Sequence, residues 1–285
     1  MTALPHDRYC DEISHQVGEL RAVVTSGADL AATVPTCPDW SLEQLVRHMG
    51  GALRWVDALV RTRAQENIPD ERIELLGGPD GVGDAAALDA WLAESGELVV
   101  GALRGAGPDT KVWSWAGVPD SGFWARRMTH EITVHRADAA LAAGLPYEVA
   151  ADVAADAVDE WLELVRWMQI NEPHATSGEL LVAGRTIQLH ATDAPAEPGA
   201  GRGGAAVLPA GTAVSPAGTW GRVVELTERG VVWRAGHEET TVALRGPLTS
   251  VLLAFYGRLP LDGPGLEVLG EREVLELWLA NAKFG

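Results

Sequence analysis

The stretch FWARRMTHEITVHRADAAL, residues 123–141, has the most informative spacing of acidic and imidazole side chains in the chain. At its centre lie His130, Glu131 and His135. The arrangement is one residue longer than the zinc-binding signature H-E-x-x-H, whose histidines share a helix face and whose Glu is a general base. At about 100° per residue, Glu131 and His135 share a face, whereas His130 and His135 diverge by about 140°. The spacing therefore predicts that Glu131 and His135 point at one ion.

This stretch belongs to a predicted helix from about Gly122 to Ala143, which Gly144 and Pro146 terminate. Four further segments carry apolar residues at helical spacing: 11–25, 41–65, 85–104 and 148–168. In the second of these, Ser41 is the predicted N-cap and Gln44 its capping-box partner. Five helices with modest connections predict a helical bundle that covers residues 1–172.

Beyond a boundary near residues 171–178, the apolar pattern changes from helical spacing to short strands. We expect a hairpin of residues 180–183 and 186–192, and further strands at 220–227, 230–234 and 240–245. The Pro/Gly-rich segment 194–218 is expected to be a long loop. A short apolar helix is expected at 247–260 and an amphipathic helix at 271–284. Residues 178–285 are therefore predicted to form a small α+β domain, which makes the chain a two-domain α+β protein.

His48 is the best candidate for a third metal ligand, because it lies in the middle of the second predicted helix. Its helical neighbours Leu45, Ala52 and Trp55 place it on or beside the apolar stripe, where an imidazole needs a partner or an ion. One carboxylate and two imidazoles would leave the fourth tetrahedral position open, as in a catalytic zinc site. Two plainer interpretations stay open: a hydrogen-bonded core histidine at position 48, and a surface ion pair between Glu131 and His135.

The composition narrows the possible functions further. The chain has 40 acidic and 22 Lys or Arg residues, a formal charge of −18, which disfavours nucleic acid and anionic membranes as partners. Neither a long apolar run nor a secretory signal is visible, so we expect a cytoplasmic protein. Cys10 and Cys37 are too few for a disulfide framework or a Cys-based zinc site.

Two motifs together resemble the mycothiol-dependent maleylpyruvate isomerase family of actinobacteria. They are VPTCPDWSLEQLVRHMGGALRWV at residues 34–56 and the stretch at 123–141. The resemblance implies a DinB-like up-down helical bundle at the N-terminus. Later segments, LHATD at 189–193, residues 242–262 and residues 266–278, resemble the attached C-terminal domain, a small α+β (SCP2-like) fold. The resemblance also implies zinc ligands at His48, Glu131 and His135.

The activity implied by this resemblance depends on zinc, or another divalent metal, and on mycothiol as a cosubstrate. Coordination by zinc converts a thiol to a thiolate at neutral pH, and the thiolate then attacks an electrophilic small molecule. The reaction is either cis–trans isomerisation of the substrate or S-transfer, in which the thiol stays on the product. Of the two we favour S-transfer. The alternative is a non-catalytic, metal-stabilised module that binds a small apolar ligand or a partner.

Four further residues near the ligand motifs are candidates for binding small molecules. Arg126 and Arg127 lie one helical turn before the predicted ligands, and one of them could hold a carboxylate or the polar end of a thiol. Trp55 and Trp124 flank the ligand motifs and are candidates to line a cofactor pocket, although most tryptophans serve as core residues.

Overall fold

The computed structural model describes residues 3–172, 176–196 and 218–283. Within them the chain divides into two compact units, one ending at Glu148 and the other beginning at Val149. None of the helices in these ranges is long and apolar enough to cross a lipid bilayer.

The N-terminal unit is built on four long helices: α1 (His6–Val24), α2 (Leu42–Thr62), α3 (Ala85–Ala106) and α4 (Ser121–Ala143). Both α1 and α2 pack against α3 and α4, and the apolar faces of all four enclose one core. A short hairpin of β1 (Thr33–Val34) and β2 (Cys37–Ser41) leads into α2. The hairpin was not expected from the sequence, whereas all four helices lie where the apolar spacing predicts them.

Local chemistry explains where these helices begin and end. The Ser41 side chain accepts a hydrogen bond from the backbone of Gln44, whose side chain accepts one in return from the Ser41 backbone, so the predicted capping box is confirmed. The side chains of Asp84 and Asp120 cap α3 and α4, because each accepts a hydrogen bond from a backbone N–H group in the first turn of its helix. Gly144 ends α4 with a φ of 66°, a left-handed conformation that favours glycine.

A small residue allows α2 and α3 to approach closely next to the candidate metal ligand of α2. At Gly50, two residues after His48, a Cβ atom would lie 2.2 Å from the Trp91 ring. The indole of Trp91 in turn donates to the backbone oxygen of Leu75, in the loop between the two helices. Gly50 is therefore required for the distance between the helices and not for backbone flexibility.

The C-terminal unit combines three helices with one sheet. Its helices are α5 (Ala151–Asn171), α6 (Leu248–Phe255) and α7 (Arg272–Asn281). The strands are β3 (Arg185–Pro195), β4 (Thr219–Leu226), β5 (Val232–Ala235), β6 (Val242–Gly246) and β7 (Glu267–Gly270). The strand order is β5-β4-β3-β6-β7, in which only the β3–β6 pair is parallel. The predicted mixture of strands and helices in this half is confirmed.

The expected boundary near residues 171–178 is wrong, because α5 groups with the C-terminal unit. The ring of Trp161 in α5 stacks on Tyr256, whose hydroxyl donates to the backbone of Ala157. Asp159 in the same helix forms a buried two-pronged ion pair with Arg222 of β4. The apolar stripe of α5 showed that this helix packs on something, but a stripe does not reveal which domain it covers.

The expected hairpin of residues 180–183 and 186–192 is also wrong. Residues Thr176–Leu180 form a 3-10 helix, and β3 pairs instead with β4 and β6. Strand β7 was missed because it has only four residues and is ordered by pairing with β6. Most of the long loop expected at 194–218, residues 197–217, lies outside the described residues.

Two alanine substitutions test the role of Gly50. Gly50→Ala should destabilise the protein by about 1–3 kcal/mol, because its methyl group overlaps the Trp91 ring. The matched change Gly101→Ala in α3 meets no atom within 4 Å and should stabilise by about 0.5–1 kcal/mol, since alanine favours the helix. Urea unfolding followed by circular dichroism measures both; equal effects of the two substitutions would contradict the packing account.

Candidate metal centre

Two helices of the N-terminal unit bring His48, Glu131 and His135 together. Glu131 Oε1 lies 3.3 Å from Nε2 of His48 and 3.4 Å from Nε2 of His135. One potential ligand atom from each residue lies within 4.8 Å of the others, and neither cysteine belongs to the group. Because His48 comes from α2 and the other two residues from α4, the cluster joins helices that are far apart in the sequence.

These distances, which also satisfy the criteria for ion pairs, are compatible with ligands of one metal ion. Hydrogen bonds between an imidazolium and a carboxylate are typically about 2.7–2.9 Å long. In a tetrahedral zinc site with bonds of about 2.0–2.1 Å, neighbouring ligand atoms lie about 3.3 Å apart. The two contacts of Glu131 Oε1 have that longer separation. The side chain of His48 is 36% exposed, so the cluster is open to solvent on one side.

Asp138, one turn beyond His135 on α4, orients that imidazole. Its Oδ2 atom is 2.9 Å from Nδ1 of His135, and its Oδ1 accepts a 2.6 Å hydrogen bond from the Thr36 hydroxyl. Burial alone lowers the pKa of an imidazole, but the hydrogen bonds to Asp138 and Glu131 raise the pKa of His135 to about 9. An Nδ1–H donated to Asp138 leaves Nε2 as the nitrogen that faces Glu131 and His48.

Arg127 holds the other oxygen of Glu131. Its guanidinium donates a 2.8 Å hydrogen bond to Glu131 Oε2, one helical turn away, and the residue is only 8% exposed. Burial alone raises the pKa of a carboxyl, but the charge of Arg127 and the hydrogen bonds with His135 and His48 lower the pKa of Glu131 well below its ordinary value. Glu131 is therefore an anion whose Oε1 is directed towards both imidazoles.

His130 points away from this cluster, as the helical geometry predicts. It is fully buried, and its ring meets that of Tyr9 on α1 edge-on, with 6.1 Å between ring centroids. The apparent H-E-x-x-H-like motif thus contributes its glutamate and its second histidine to one site and its first histidine to the helix core.

The two tryptophans predicted to line a cofactor pocket pack against each other instead. Their ring centroids are 5.1 Å apart, and each indole N–H donates to a backbone oxygen, Trp55 to Ile68 and Trp124 to Trp113. Trp124 is 0% exposed and therefore offers no surface to a ligand, whereas Trp55 is half-buried. Arg126 is half-buried on α4 and is not part of the ligand group.

Three residues of the site environment were missed in the sequence: Thr36, Trp40 and Asp138. The ring of Trp40 lies against that of His48, with 5.0 Å between centroids. Only Asp138 could have been predicted from the sequence, because an acidic residue three positions after His135 lies close to it on the same helix face. Thr36 and Trp40 reach the site through the β1–β2 hairpin, which helical spacing cannot predict.

Comparison with known proteins identifies one matching family and two similar crystal structures. Residues 10–140 match the family described as "Mycothiol maleylpyruvate isomerase N-terminal domain". A crystal structure of the mycothiol-dependent maleylpyruvate isomerase is 16% identical over 94% of this chain and 95% of its own, with a TM-score of 0.51. A histidine-to-alanine mutant of that isomerase is 14% identical over the same shares, with a TM-score of 0.52. No curated protein matches the sequence.

At such identities the crystal structures establish a shared fold, while the family match rests on the sequence of the N-terminal unit itself. That match covers α2 and α4 up to residue 140 and includes His48, Glu131 and His135. Residues 10–140, which lie in the N-terminal unit, are thus similar to the mycothiol maleylpyruvate isomerase N-terminal domain.

Proposed function

We propose that the protein is a metal-dependent enzyme that uses a low-molecular-weight thiol, mycothiol, to act on an electrophilic small molecule. The observation that carries the proposal is the open cluster of His48, Glu131 and His135 in a domain similar to the N-terminal domain of this family. Two imidazoles and one carboxylate are the protein ligands of many catalytic zinc sites, in which a fourth position is left for a non-protein ligand.

The donor set fits zinc, although imidazole and carboxylate ligands also accept other divalent ions. His48 and His135 would each bind through Nε2, and Glu131 through Oε1, because Arg127 engages Oε2. A divalent metal held there supplies Lewis acidity, which lowers the pKa of a coordinated thiol towards neutral pH. The chain itself keeps Glu131 ionised and holds His135 in orientation through Asp138.

The nucleophilic sulfur is proposed to come from the cosubstrate and not from the chain. Cys10 is fully buried, and burial raises the pKa of its thiol to about 11, so this thiol is protonated at neutral pH. Cys37 is half-buried on β2 and does not belong to the ligand group. An external thiol can reach the cluster through the exposed side of His48.

Isomerisation is now favoured over S-transfer, in contrast to the preference based on sequence, because the family and both similar structures carry the isomerase name. Addition of a thiol sulfur to a conjugated cis double bond leaves a single bond that can rotate. Elimination of the same thiol then releases the trans isomer, so the cosubstrate is regenerated. In S-transfer the carbon–sulfur bond persists in the product.

We assign different proposed roles to the two neighbouring arginines of α4. Arg127 is a positioning residue, since its guanidinium holds Oε2 of Glu131 and so directs Oε1 towards the histidines. Arg126, which is half-buried, stays the candidate of this pair for binding a substrate carboxylate. For pocket lining, Trp55 stays a candidate because part of its surface is exposed.

The second candidate function is a non-catalytic, metal-stabilised binding module. A structural zinc site is usually closed by four protein ligands. Among the described residues only three side chains form the group, which favours the catalytic proposal over the structural one.

Metal content provides the first test. Inductively coupled plasma mass spectrometry of the purified protein should find close to one zinc ion per chain. The variants His48→Ala, Glu131→Gln and His135→Ala should each lose most of this zinc. His130→Ala is the matched control, because this histidine lies on the same helix but faces the core, and it should keep the metal. Zinc retained in all three ligand variants would exclude the site.

Product analysis provides the second test. With mycothiol and a panel of conjugated cis-diacids, mass spectrometry and NMR should detect the trans isomer without net consumption of thiol. Glu131→Gln should reduce kcat/KM by at least about 100-fold, because the metal ligand is lost. A stable thioether product would indicate S-transfer, and neither product with any electrophile would favour the binding module.

Cysteine substitution tests the source of the sulfur. The double variant Cys10→Ala/Cys37→Ala should retain activity within about threefold when mycothiol is supplied, and wild-type protein should be inactive without added thiol. Circular dichroism should first establish that the variant is folded, since Cys10 is a core residue. Activity of wild-type protein in the absence of any thiol would contradict the proposal.

A further inference from the structure

We infer that the β1–β2 hairpin positions both proposed imidazole ligands. It contacts His135 indirectly, through Thr36 and Asp138, and it contacts His48 through Trp40. The inference rests on the proposed metal site and assigns positioning roles to three residues outside the ligand set. The hairpin lies between α1 and α2, and its residues touch the environment of ligands on both α2 and α4.

The first connection runs from the turn of the hairpin to α4. Val34 and Cys37 are paired, so Pro35 and Thr36 form a two-residue turn with Thr36 at its end. The Thr36 hydroxyl donates to Oδ1 of Asp138, and the other oxygen of Asp138 faces Nδ1 of His135. Asp138 is 0% exposed, so the Thr36 hydroxyl replaces a solvent hydrogen bond to this carboxylate and fixes its plane.

The second connection runs from the end of β2 to α2. The Trp40 ring lies 5.0 Å from the His48 ring at an interplanar angle of 59°. His48 is partly exposed, and contact with the Trp40 ring, in addition to the contact of its Nε2 with Glu131, restricts rotation of the side chain. Trp40 directly precedes the capping residue Ser41, and the start of α2 therefore defines where the Trp40 backbone lies.

The hairpin is itself anchored well enough to serve as a support. Val34 is fully buried in the core of the N-terminal unit. The backbone N–H groups of Leu42 and Glu43 donate to the carbonyl oxygens of Ala32 and Leu30, which joins the segment before the hairpin to the first turn of α2. The hairpin therefore transmits the position of α2 to Asp138 on α4.

Zinc affinity measured by competition with a chromophoric chelator tests the inference on the full chain. Asp138→Asn, Thr36→Val and Trp40→Ala should each weaken binding, by about 10–100-fold for Asp138→Asn and by less for the other two. The conservative variants Thr36→Ser and Trp40→Phe should restore most of the affinity, because they keep the hydroxyl and the aromatic ring. Thr33→Val, an exposed threonine on the same hairpin, is the matched control and should bind zinc like the wild type.

A double-mutant cycle separates the two connections. If Thr36 acts through Asp138, the Thr36→Val change should have little further effect on zinc affinity in the Asp138→Asn background. Trp40→Ala acts on the other histidine, so its fold-change should persist in that background. Additive effects of Thr36→Val and Asp138→Asn would overturn the proposed relay.

A readout without metal distinguishes failure of this inference from failure of the proposed function. In nitrogen-edited NMR of the metal-free protein, His135 should show an exchange-protected Nδ1–H signal that Asp138→Asn removes and Thr36→Val broadens. An unchanged signal in Asp138→Asn, or unchanged zinc affinity in Asp138→Asn and Trp40→Ala, would overturn the inference. Lack of zinc binding by wild-type protein would instead defeat the proposed function, and the inference with it.

Discussion

The geometry of the N-terminal site depends on the contacts of the Glu131 carboxylate with two imidazoles and one guanidinium. One of its oxygens faces Nε2 of His48 and Nε2 of His135, and the other accepts a hydrogen bond from Arg127. A carboxylate removed in part from water is stable as an anion only where such positive or hydrogen-bonding groups surround it. These contacts join α4 to α2, whose rotation is set by the burial of its apolar face and brings His48 to Glu131.

The surroundings of this carboxylate form a continuous polar chain inside an apolar bundle. From the hairpin it runs through Thr36, Asp138 and His135 to Glu131 and Arg127. In this chain Glu131, whose pKa is lowered well below its ordinary value, contacts Arg127 and also His135, whose pKa is raised to about 9. A divalent metal at the proposed site would be bound by a neutral His135, so its binding would be coupled to release of a proton.

The helices that carry the proposed site pack closely against one another, while one side of the cluster is open to solvent. Gly50 allows the Trp91 ring to lie against α2 two residues from His48, and the Trp55–Trp124 pair packs two helical turns away from the ligands. The aromatic packing therefore supports the helices that carry the proposed ligands. This explains why tryptophans close to the ligand motifs in sequence need not contact a bound molecule.

The sequence by itself determined the elements that arise from local chemistry. Apolar spacing located α2, α3 and α4, and the Ser41 capping box marked the start of α2. The five-residue separation of His130 and His135 was enough to assign Glu131 and His135 to one face, since 100° per residue is a property of any α-helix. Position 48 followed from the same reasoning combined with a family resemblance.

Only the tertiary structure decided which surfaces meet. An amphipathic stripe shows that α5 packs on something, but its partners Arg222 and Tyr256 come from strands and turns about 60 to 100 residues later. The same holds for the β1–β2 hairpin, whose strands are too short to produce a readable pattern. Its residue Thr36 contacts Asp138 of α4, which is 102 residues away in the sequence. Long-range pairing of polar groups depends on how elements are placed in space, and periodicity along one element carries no information about that placement.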